Sequence, residues 1–156
     1  MLSDPKRDTI LDDVADQLRQ ATTPAPGLLR EVIARACIRL EAMRCAGKAK
    51  DLDRLIEDGA WCDAALALIE LELPAWSVRR LVREDGEWFC SLSREPNLPA
   101  ALDDTADASH PVLPLAILVA FVEARRRSLA SQGTGRSPVP AVRPAYAGTI
   151  CCDNFS

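Results

Sequence analysis

The chain is poor in the residue types that most often carry chemistry or mark a compartment. It has one histidine, His110, in 156 residues, and Phe, Trp and Tyr together make up 4%. A core with so few aromatics must be built from Leu, Ala, Val and Ile, and segments rich in Ala and Leu favour helix. Long hydrophobic runs are missing too. The longest, 112–122, contains Pro114 and falls short of the ~20 residues needed to span a bilayer. The N-terminus, Met1-Leu2-Ser3-Asp4-Pro5-Lys6-Arg7-Asp8, lacks the basic and then apolar blocks of a secretory signal, so a cytoplasmic location is expected and no membrane partner. Positive charge is not in excess. A net charge of −4 argues against a surface that coats nucleic acid, while leaving room for a local basic patch.

Catalytic signatures are equally sparse. There is no Gly-x-Ser-x-Gly, no phosphate-binding loop and no dinucleotide fingerprint. The six cysteines (Cys37, Cys45, Cys62, Cys90, Cys151, Cys152) form no Cys-x-x-Cys pair. The first four read as reduced, small core residues. The adjacent Cys151 and Cys152 lie in a tail with no nearby partner for redox or soft-metal chemistry. The sequence names no catalytic residue, no metal site and no cofactor, and an enzyme is not expected.

What is present is helical patterning. Pro5 follows a capping Ser3-Asp4 pair, and Ile10, Leu11, Val14 and Leu18 recur at helical spacing over 5–21. A linker with Pro24, Pro26 and Gly27 follows. Leu29, Val32, Ile33, Ala36, Cys37, Leu40 and Met43 then form one continuous stripe, predicting a single long helix closed by Gly47. A short helix capped by Asp51 ends at Gly59. The stretch 61–73 is a helix apolar on most sides, interrupted late by Glu70 and Glu72. Residues 100–108 read as a helical turn. Residues 115–127 form a helix whose Arg125-Arg126-Arg127 would suit its negative C-terminal end.

One segment breaks the pattern. Residues 76–94, between Pro74 and Pro96, read as a β-hairpin, and its natural packing partners are 64–73 and 112–122. A two-residue turn at Asp85-Gly86 would pair Val82 with Phe89 and Arg83 with Trp88, mixing apolar and charged groups on both faces. A three-residue turn, Glu84-Asp85-Gly86, gives the cleaner inner face of Val78, Val82, Trp88, Cys90 and Leu92 and sets Arg83 opposite Glu87, so this register is preferred. It leaves Arg80 on the apolar side, either snorkelling or binding. Leu81 and Phe89 then face out with Arg79 and Arg83.

The fold expected is α+β, mostly helical, with one antiparallel hairpin packed against flanking helices. Residues 1–127 form a single domain (N-terminal helices 5–58, hairpin core 60–127), and 128–156 a Pro/Ser/Gly-rich tail read as flexible. Asp103-Asp104-Thr105-Ala106-Asp107 matches the Asp-Asp-x-x-Asp string that holds magnesium–diphosphate in prenyl-transferring enzymes. The chain lacks a second acidic copy, so a solvated acidic turn is expected. His110 reads as a cap or loop residue beside Pro111.

Asp63-Ala64-Ala65-Leu66-Ala67-Leu68 on a helix, Trp76 opening a strand, Gly86-Glu87-Trp88 at the hairpin and Leu115-Ala116-Ile117 with Ala120 on a later helix recur in a known order. In this layout the run 60–125 resembles the small bacterial and prophage proteins described as phage ABA sandwich domains. The resemblance implies a fold and a mobile-element context, and it carries over no functional residue. The function expected is a cytoplasmic, non-enzymatic protein-interaction module, binding a protein partner or itself through Arg79, Leu81, Arg83 and Phe89. The alternatives are a nucleic-acid-binding regulator using the hairpin arginines, or an acidic decoy built on Asp12, Asp13, Asp16, Asp103, Asp104 and Asp107.

Overall fold

The computed structural model describes residues 5–45, 47 and 49–133. Ser3 and Asp4, and the tail from 134 onward with Cys151 and Cys152, lie outside the described residues. The element order is α1 (Pro5–Gln20), α2 (Pro26–Ala36), α3 (Arg39–Cys45), α4 (Lys50–Glu57), α5 (Trp61–Glu72), β1 (Ser77–Glu84), β2 (Glu87–Ser93), β3 (Thr105–His110) and α6 (Leu113–Gly133). The fold is α+β and mostly helical. Its sheet is an antiparallel meander in the order β1-β2-β3.

The chain is built around α6. Leu115, Ala116, Ile117, Leu118, Val119, Ala120, Phe121 and Val122 are all buried, so this half of the helix is covered on every side, as a helix apolar all round requires. β2 and β3 lie against it on one side, and α1 and α5 on the others. α2 packs on α1, and α3 and α4 pack on α5. Removing each such Leu, Ile or Phe from water contributes about 1.5–3 kcal/mol. The helix runs past Arg127 to Gly133, so the arginine triplet sits within it and not at its end, and the first residues of the expected tail are helical.

Three expectations need correction. The long helix expected from the stripe Leu29 to Met43 is broken: Cys37 is extended (φ −107, ψ 130), and α3 starts two residues later. The cause is remote. The carboxylate of Glu72, at the end of α5, accepts hydrogen bonds from the backbone N–H of Ile38 (2.7 Å), Arg39 (3.1 Å) and Leu40 (3.0 Å). A helix start exposes N–H groups without intrahelical partners, and Glu72 supplies the acceptor. Arg125 of α6 lies 3.5 Å from the same carboxylate, and both side chains are buried.

Second, 105–110 is a strand and not a helical turn. Ala106, Ala108 and His110 face inward, opposite Leu92, Cys90 and Trp88, while Thr105, Asp107 and Ser109 face outward.

Third, the hairpin uses the two-residue turn. Asp85 (φ 53) and Gly86 (φ 84) are both left-handed, the signature of a type I′ turn, whose twist matches that of the flanking strands. Val82 therefore pairs with Phe89 and Arg83 with Trp88. A bulge between Val78 and Arg80 then shifts the register, so that Val78 opposes Leu92 and Ser77 opposes Ser93, the pairs expected for the other turn. One extra residue, Arg79, lets a tight turn coexist with the Val78–Leu92 pairing, although Val78, expected on the inner face, is exposed while Leu92 is buried. α5 packs mainly on α6 and α4 and is not a layer on the hairpin.

Candidate functional site

The bulge divides the outer face of the sheet into two regions of different character. Beyond it, at the end away from the turn, the face is polar and bordered by the segment 94–104. Arg79, expelled from the ladder, donates to the carbonyls of Pro96 (3.2 Å) and Leu98 (2.8 Å) and to the buried carboxylate of Asp103 (2.6 Å). Ser93 donates its hydroxyl to Asp103 and accepts the N–H of Glu95 (2.9 Å). Ser91 and Thr105 both donate to Asp107 (2.6 and 3.2 Å), and Arg127 of α6 bonds Asp104 (2.8 Å). The segment is thus pinned at several points. It frames a shallow groove of about 310 Å³ lined in part by Arg94, Leu98 and Leu102, with Leu102 73% exposed.

On the turn side of the bulge the outer face is open. Val82 and Phe89 are direct cross-strand partners and only half-buried. Arg80 lies over the Phe89 ring (5.7 Å) and reaches along the strand to Glu84 (2.7 Å). An apolar pair is therefore bracketed by a cation and an anion. Arg80 is on this outer face, so it is not a charged residue stranded on the apolar side.

The four residues expected to share one surface do not share it. Phe89 is outward. Leu81 pairs with Cys90 and packs against the core. Arg83 shares the inner parity of Trp88, its guanidinium 6.0 Å from the indole at the exposed tip. Arg79 is held by the 94–104 segment. Val82 and Glu84 complete the outward patch instead, and the sequence pattern missed them because the bulge reverses the parity of every residue between it and the turn.

The acidic and titratable groups are engaged internally. Asp103, Asp104 and Asp107 do not share a helix face, and each has its own partner. Asp12 pairs with Arg126 of α6 and Asp13 with Arg35 of α2, while Asp16 pairs with Arg19 of α1 itself, so these three carboxylates on α1 each face an arginine. Among the described residues no group of three His, Cys, Asp or Glu is placed to hold a metal ion. His110 accepts the N–H of Val112 at its Nδ1 (2.9 Å) and lies on the opposite sheet face from Asp107. Burial pushes the Cys90 thiol up to about 12, with the Asp107 charge adding to it. Burial and then Glu72 raise Cys37 as well. Such thiols are poor nucleophiles. Among the described residues no helix is long and apolar enough to cross a membrane. No protein-family model matches the chain, and no curated protein or solved structure is significantly similar to it.

Proposed function

We propose that the chain is a non-enzymatic, cytoplasmic protein-interaction module whose contact surface is the open end of the hairpin, with Val82 and Phe89 between Arg80 and Glu84. The observation that carries this reading is that apolar pair, presented at the turn end of a three-stranded sheet between charges of opposite sign. An aromatic and an aliphatic anchor inside a polar rim is the composition of a small binding patch. The groups that could have carried chemistry support it, because His110 and Asp103 hold local backbone or side-chain structure. The resemblance of residues 60–125 to phage ABA sandwich domains adds a prophage context to the proposal. Protein is favoured over nucleic acid because Arg79 is occupied by Asp103 and Arg80 by Glu84, which leaves Arg83 as the one hairpin arginine outside a salt bridge in the described structure.

The test is affinity capture with the wild-type chain and with Phe89→Ser, after circular dichroism shows equal folding. A specific protein retained by the wild type should be lost from the variant by about tenfold, the consequence of removing one buried aromatic anchor. An unchanged set of captured proteins would show that this surface is not the contact.

A further inference from the structure

The contact surface ends at a sheet edge, and that edge is complementary to itself. β1 is an outer strand whose only extensive packing partner among the described residues is β2. In a two-residue hairpin the residues flanking the turn, here Glu84 and Glu87, exchange backbone hydrogen bonds, and bonded and non-bonded pairs then alternate. Leu81 and Arg83 therefore turn their N–H and C=O groups away from β2 toward the edge. Such an edge is a template for another strand.

We propose that β1 pairs antiparallel with β1 of a second copy of this chain, about a two-fold axis at Val82, joining two three-stranded sheets into one of six. This rests on the hairpin as contact surface and names its partner. The axis sets Leu81 opposite the partner's Arg83, and these are the residues whose backbone groups face the edge, so the bonds close in register. Arg80 falls opposite the partner's Glu84, and Glu84 opposite the partner's Arg80. Val82 meets its own copy, extending the outer face into an apolar row of Phe89, Val82, Val82 and Phe89. Opposite charges facing each other across strands stabilise a pairing and like charges oppose it.

The other registers fail on the same residues. An axis at Arg80 or Arg83 sets an arginine against itself, and one at Glu84 a glutamate against itself. An axis at Leu81 runs the pairing into the bulge at Arg79. A contact in which one patch meets its own copy is closed by two-fold symmetry.

The experiment is a charge swap read by light scattering and sedimentation equilibrium on the purified chain. The wild type should approach twice 17.0 kDa with rising concentration. Arg80→Glu alone and Glu84→Arg alone each place like charges at both contacts and should raise the dimer dissociation constant by about tenfold or more. An equimolar mixture of the two variants places Glu against Arg at both contacts and should restore wild-type association as a heterodimer. An intrachain Arg80–Glu84 bridge cannot produce that rescue. A wild type that stays at monomer mass up to its solubility limit overturns the proposal, as do variants that dimerise as tightly as the wild type or a mixture that does not recover. Each of these results leaves the interaction module standing if Phe89-dependent capture of another protein is observed. Failure of capture alongside the charge-swap rescue removes the heterologous partner and keeps the dimer.

Discussion

Glu72 is a charge in a place that water does not reach, held by three amides and a guanidinium. Burying an ion pair costs several kcal/mol per ion before its attractions are counted, so removing one member is far worse than never having had the pair. Glu72→Gln should therefore destabilise the chain by about 3–5 kcal/mol, because Arg125 stays buried without its counter-ion. A urea titration against the wild type measures it, and hydrogen exchange at Ile38, Arg39 and Leu40 should accelerate in parallel. Nothing near Glu72 in the sequence announces this role. Its only trace is that Glu72 stands between Leu71 and Leu73 at the end of a largely apolar helix. Arg125 reads more simply as a helix-end residue beside Arg126 and Arg127, until α6 proves to continue beyond it.

At the scale of elements, the helices with a regular apolar stripe are legible and the joints between them are not. α1 follows directly from Ile10, Leu11, Val14 and Leu18, and α5 and the buried half of α6 from their continuous Leu, Ala and Ile. The break between α2 and α3 interrupts a perfect stripe, because an acceptor more than thirty residues away outweighs local periodicity. β3 hides because its inward residues are two alanines and a histidine, too small or too polar to make an alternating apolar signal. In the hairpin, face purity selects one turn and backbone geometry another; geometry wins at the turn, and the bulge at Arg79 restores the expected pairs only at Ser77 and Val78. That geometry is testable at the turn. Gly86 holds φ +84 with open space around a would-be Cβ, so Gly86→Ala meets backbone strain alone and should cost about 1–2 kcal/mol. Asp85→Gly, relieving φ 53, should not destabilise the fold. Chemical denaturation of both variants checks the contrast.

At the scale of the whole molecule, helices are tied together by arginine-to-carboxylate bridges, and the Cys90 thiol is set inside. Burial raises Cys90 from 9.0 to about 12 and raises Cys37 and Cys62 in the same direction. An acid whose folded pKa lies above its unfolded value adds stability that is fully present below the unfolded value, because only the unfolded chain gives up the proton as pH rises. Stability should hold up to about pH 9 and fall progressively toward pH 12, with Cys90→Ala showing a shallower decline. Urea midpoints measured across that range decide it.

The joint made by Glu72 also sets which positions can change. Three of its bonds go to main-chain amides, which every amino acid but proline supplies. The junction is therefore indifferent to the side chains at 38, 39 and 40 so far as these bonds are concerned, and strict at 72 and 125. A substitution at Ile38, a residue 47% exposed, leaves the latch intact, while loss of either charge opens it. The path of the chain from α2 into α3 is thus written at a distance, in two residues that lie in neither helix.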